Sequence, residues 1–112
     1  MKNFKYEGEN MEIDLNKMNR TVKMIIKGNI DEQGAMNLKQ SFMNINKSTI
    51  DHVIIDMKNV NHVGSAGIGK LLLFYKDFAI KGGRITLDNV SRTLYDLFKV
   101  VKLGTLMKIK AI

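Results

Sequence analysis

The run His52-Val53-Ile54-Ile55-Asp56-Met57 constrains this chain more than any other stretch. It is short, β-branched and continuously apolar at its centre, which is the pattern of a strand covered on both faces and therefore central in a sheet. After the segment "KNVNHVG", read as a loop, the positions Ile68, Leu71, Leu72, Tyr75, Phe78 and Ala79 recur with a period of about 3.6 residues. That spacing predicts a helix beginning near Ser65, running toward Lys81 and closed by Gly82-Gly83. A buried strand followed at once by an amphipathic helix is the repeating unit of a parallel sheet.

The same alternation extends in both directions. Met11, Ile13 and Leu15 alternate with polar neighbours, and Val22, Met24 and Ile26 do so after the polar turn "NKMNR", which predicts an antiparallel hairpin. Asp31 is a helix N-cap with Glu32 in the first turn, and Ala35, Leu38, Phe42 and Ile45 follow at helical spacing, with Gly34 as a local weakness. "RITL" at 84–87 reads as another buried strand, and Asn89-Val90-Ser91 leads into a third helix carrying Leu94, Leu97, Phe98 and Val101 on one side, stopped by Gly104. The tail "TLMKIKAI" fits either a short edge strand or a final helical turn. The order β, β, α, β, α, β, α predicts an α/β fold: a mixed β-sheet with an antiparallel edge hairpin plus parallel strands, and helices packed against it. With no proline, repeat or low-complexity segment, residues 11–112 read as one domain and residues 1–10 as a loose N-terminal extension.

Composition narrows the function classes. No apolar run approaches the roughly 18 residues of a membrane span, and the N-terminus lacks a signal-peptide core, so a cytoplasmic protein without membrane insertion is expected. The absence of cysteine removes disulfides, thiolate metal sites and cysteine nucleophiles, and His52 and His62 lack ligand-like spacing, so no metal or cofactor is expected. The formal charge of +7 invites a nucleic-acid reading. Against it, the lysines are spread along the chain without a block of like charge, and arginine occurs only at Arg20, Arg84 and Arg92.

The stretch "HVGSAGIGKL" at 62–71 has two readings. Gly64, four residues and Gly69-Lys70 approach a phosphate-binding loop, but Leu71 occupies the position where such loops carry the hydroxyl that holds magnesium. The alternative centres on Ser65, at or next to the helix N-cap, with Gly67 and Gly69 keeping the first turn bare. There Ser65 is either a simple cap or a hydroxyl presented for modification. A phosphate on it is compatible with the positive end of the helix, whereas a partner fitted to the surface meets new negative charge.

Taken together, "GNID" at 28–31, "VIIDMKNVNHVGSAGIGKLLLFYKDFAIKGGRITL" at 53–87 and "VSRTLYDLFKVVKL" at 90–103 resemble the STAS domain family, and within it the bacterial anti-sigma factor antagonists. In that family a motif Asp-Ser-Ser/Thr/Ala-Gly-Leu/Ile-Gly carries a serine that a partner kinase phosphorylates. The resemblance implies Ser65 as the phosphorylated residue and Asp31, Gly64, Ser65, Ala66, Gly67, Ile68 and Gly69 as the partner-binding surface. Gly64 stands where the family usually has aspartate. The implied function is regulatory and non-enzymatic. The unphosphorylated protein binds an anti-sigma factor, often a serine kinase, and releases the sigma factor; phosphorylation reverses this, and a serine phosphatase restores binding. A STAS scaffold subunit of a signalling or transporter complex, without the switch, is the alternative.

Overall fold

The computed structural model describes residues 3–112. Six strands form a single sheet in chain order: β1 (Asn3–Glu7), β2 (Met11–Met18), β3 (Thr21–Ile30), β4 (His52–Val63), β5 (Arg84–Val90) and β6 (Lys108–Ala111). The first three pair antiparallel, and β3 through β6 run parallel. The crossovers carry α1 (Glu32–Met43), α2 (Ser65–Ala79) and α3 (Arg92–Val100). Each crossover steps one strand in the same direction, and right-handed connections then place all three helices on one face of the sheet.

Burial follows that geometry. The register row Leu15, Met24, Ile55 and Leu87 lies beneath the helices and is buried, whereas the adjacent row Asp14, Ile25, Asp56 and Asp88 is half-exposed on the other face. β4 is therefore central, as its apolar run predicts, but it is covered on one face only. Between the helices, the rings of Phe42 and Phe74 stack at 4.1 Å with an interplanar angle of 8°. Phe74 belongs to the buried stripe Leu71, Phe74 and Phe78, while Ile68, Leu72 and Tyr75 flank it half-buried.

Several local expectations change. Residues 3–7 are not loose: they form β1, pairing from Asn3↔Asn16 to Glu7↔Glu12. Residues 1–2 of that expected extension lie outside the described residues. The segment 58–63 is strand rather than loop. β4 inserts an extra residue against β3 after Asp56 and again after Val60, so its buried residues pass from a spacing of two (Val53, Ile55, Met57) to a spacing of three (Met57, Val60, Val63). These bulges disguise the alternation that marks a strand. Gly34 is no weakness, because a Cβ there would lie 2.7 Å from the Asn29 carbonyl oxygen. The third helix ends at Val100, with Val101 exposed and Lys102 turning the chain at φ 57°, before Gly104 is reached. Of the two readings of the tail the edge strand is the one found, β6 at Lys108–Ala111, and the 3-10 turn at Leu103–Thr105 lies almost wholly before the tail.

Candidate functional site

β3 and β4 end together, with Ile30 opposite Val63, so Asp31 and Gly64 leave the sheet side by side and open α1 and α2. The Gly64 N–H donates to the Ile30 carbonyl at 2.9 Å, tying the two helix starts together. The structure thus brings Asp31 and the 64–69 segment onto one end of the sheet.

Ser65 is the first residue of α2 and is exposed. The N-cap is Gly64, which has no side chain to offer, and no side chain accepts a hydrogen bond from the α2 N-terminus. Ser65 is therefore not the cap. Its hydroxyl stands beside the N–H groups of the first turn, which have no acceptor within the helix. That arrangement favours negative charge by about 0.3–1 kcal/mol at an exposed position. The phosphate-binding-loop reading fails on the same geometry: residues 65–70 are already helical, so no loop exists between Gly64 and Lys70 to wrap a phosphate.

The three glycines of the segment do different things. A Cβ on Gly67 would lie 2.6 Å from Ile30 Cγ2 and 3.3 Å from Val63 Cγ1, so Gly67 lets α2 rest directly on the strand ends. At Gly69 nothing lies within 4 Å of such an atom, which leaves the surface beside Ser65 open. Gly64 has φ −87°, and its nearest neighbours, the Ile30 carbonyl oxygen and His62 Nε2, would be 3.6 and 3.7 Å from a Cβ. The backbone does not demand glycine there; an aspartate fits. Ala66 and Ile68 are half-buried, with Ile68 packed against the core and Ala66 bordering the serine.

Asp31 is half-buried, and its Oδ1 accepts the Gly34 N–H at 2.8 Å. Its first role is to cap α1, and its position beside the α2 start is a consequence of strand register. His62 is exposed on β4 two residues before Gly64, in the segment 58–63 that reads as a loop in the sequence. His52 lies at the opposite end of β4, where its Nε2 is 2.8 Å from Thr86 Oγ1. Among the described residues, no group of three or more His, Cys, Asp or Glu side chains is arranged to hold a metal ion, and no helix is long and apolar enough to cross a membrane.

Comparison with known proteins matches residues 12–111 to a family model described as the STAS domain. An anti-sigma-B factor antagonist from Bacillus subtilis (strain 168) is 26% identical over 102 residues, covering 91% of this chain and 93% of that relative. The fold is shared with the anti-sigma factor antagonist SpoIIAA from Bacillus. Its unphosphorylated form aligns with a TM-score of 0.72 at 19% identity, covering 87% of this chain and 86% of that one. The phosphorylated form aligns with a TM-score of 0.69 at 21% identity, covering 87% and 89%. A sulfate transporter family protein from Wolinella succinogenes has the same fold, with a TM-score of 0.70 at 20% identity, covering 80% of this chain and 75% of that one.

Proposed function

This chain belongs to the STAS domain family, and from that premise we propose that it is an anti-sigma factor antagonist controlled by phosphorylation of Ser65. In its unphosphorylated form it binds an anti-sigma factor with serine kinase activity in the cytoplasm, which frees the sigma factor. The kinase transfers the terminal phosphoryl group of ATP to the Ser65 hydroxyl, the hydroxyl proton leaves and ADP departs; a serine phosphatase hydrolyses the ester and restores binding. The domain contributes a surface and an acceptor, and no catalytic group of its own.

The observation that carries this reading is the exposed Ser65 hydroxyl at an N-terminus with no side-chain cap, on an open small-residue surface. A phosphate there adds about 1.5 to 2 negative charges. The helix start tolerates them, while a partner seated on Ala66, Ile68 and Gly69 meets both the charge and the bulk. Phosphorylation then acts on association and leaves the fold in place.

Mixing the protein with its cognate kinase-type anti-sigma factor and ATP should add one phosphate by intact mass, lost in Ser65→Ala. Ser65→Ala should keep binding, and Ser65→Asp should weaken it. If both variants bind as the wild type does, the switch is wrong. Gly64 in place of the family's aspartate favours a second reading, a scaffold subunit without the switch; such a protein binds its partner and gains no phosphate.

A further inference from the structure

A crevice of about 570 Å³ opens at the end of the molecule away from Ser65, beside the first residues of β5. Pairing of β5 with β6 begins only at Thr86↔Lys108, so Arg84 and Ile85 have no β6 residue opposite them. The crevice is lined on its polar side by Arg84, Lys108, Lys110, His52 and Thr86. Ile54, Tyr75 and Leu106 line it elsewhere. The strand register explains the polar set: His52 pairs with Arg84 and Thr86 with Lys108, so these side chains share the face that no helix covers.

Three features distinguish this place from an ordinary solvated surface. First, the ion pairs among the described residues are Arg20–Asp51 and Arg92–Asp96, so Arg84, Lys108 and Lys110 form no salt bridge, although the Asp51 pKa, lowered first by the hydrogen bond from Arg20, is also lowered by the Arg84 charge. Asp88 is the one acidic residue of the lining, which leaves three cations against one carboxylate, and its Oδ1 accepts the Asn89 N–H at 3.1 Å. Second, Thr86 is one of two buried polar residues among the described residues, yet it borders the crevice. Third, burial, and then the charges of Arg84 and Lys108, push His52 below its ordinary range, which favours the neutral imidazole. When its Nε2 carries the proton it donates to Thr86 Oγ1, and the threonine hydroxyl is left to donate into the crevice.

We propose that this crevice binds a small phosphorylated organic molecule. Arg84, Lys108 and Lys110 meet the phosphoryl oxygens, Thr86 donates one hydrogen bond, and Ile54, Tyr75 and Leu106 cover the carbon skeleton. A phosphoryl dianion suits a crevice lined by three cations better than a single carboxylate does, and arginine's fork adds a paired contact. The size falls in the usual range for small-molecule sites, about 300–1,000 Å³. The ligand would report to a pole of the domain separate from Ser65, so this site stands or falls independently of the partner-binding reading.

The test is a titration of the full chain, followed by amide chemical shifts, with glucose 6-phosphate, phosphoenolpyruvate and AMP. Citrate, inorganic phosphate and glucose serve as controls. At least one phosphorylated compound should give saturable shifts confined to residues around 84–86 and 104–110. Arg84→Gln and Lys108→Gln should each weaken it by about tenfold, the loss of one charge-assisted contact. Lys39→Gln, on the exposed side of α1, should leave it unchanged. No saturable shift with any of the three phosphorylated compounds overturns the proposal, as does equal weakening by Lys39→Gln. Equal affinity for citrate overturns the phosphoryl preference, and equal affinity for inorganic phosphate overturns the organic ligand. Both arginine and lysine are exposed, and unchanged melting temperatures of the variants would separate lost binding from lost fold.

Discussion

Two helices start side by side at the C-terminal ends of β3 and β4, and they are anchored by different means. α1 is held by a side chain: Asp31 accepts the Gly34 N–H and satisfies one of the orphan donors of the first turn. α2 is held by contact, with Gly67 resting on Ile30 and Val63 and with the Gly64 N–H bonded to Ile30. Only the second arrangement leaves the helix N-terminus and its first hydroxyl free. The contrast leaves α2, of these two helices, as the one whose N-terminus no capping side chain occupies.

The contrast is most severely tested at Gly67. Gly67→Ala places a methyl group 2.6 Å from Ile30 Cγ2. Overpacking of this kind costs about 1–3 kcal/mol, and helix propensity returns at most about 1 kcal/mol. A net loss is expected in urea denaturation, together with weaker partner binding as α2 lifts from the strands. A neutral or stabilising result would show that Ile30 simply moves aside and that contact does not fix this helix.

A smaller effect is expected at the capped helix. Asp31→Ala removes the cap and should cost about 1 kcal/mol, while Asp31→Asn should cost much less because its amide oxygen still accepts. Equal losses in both variants would assign the effect to charge instead of capping. The smallest change is expected at Gly64. Gly64→Asp gives α2 the cap it lacks, and the space around the position is adequate, so a gain of a few tenths of a kcal/mol is expected in the same denaturation assay. A loss would mean that the bare N-terminus is required by sterics after all. With a cognate kinase, the variant also reads out directly whether a carboxylate beside Ser65 speeds its phosphorylation.

Much of the fold was legible in the chain. The alternation at 11–15 and 22–26, the apolar run at 52–57 and the helical spacing from Ile68 to Phe78 are local patterns, and each became the element it predicts. β1 was not legible, because "NFKYE" is too short and too polar to announce itself and becomes a strand only by pairing with β2. The far half of β4 was hidden by its two bulges, which replace a spacing of two with a spacing of three.

At the site, the glycine-rich run and the helix that follows it placed Ser65 at a helix start, while its reading as a phosphorylated residue rested on the family resemblance. What each glycine does could not be read there. Gly67 and Gly69 look equivalent in sequence, yet one sits against Ile30 and Val63 while the other faces open space, because the strand ends lie under only one side of the helix. The crevice near Arg84 is likewise invisible in the chain, since it gathers residues from β4, β5, β6, α2 and the turn before β6. The sequence by itself determined the order of elements and the presence of a serine at a helix start, because periodicity and capping act over a few residues. The tertiary structure alone decided which helix end is bare, which glycine is pressed and which sheet face is open, because these depend on register between strands far apart in the chain.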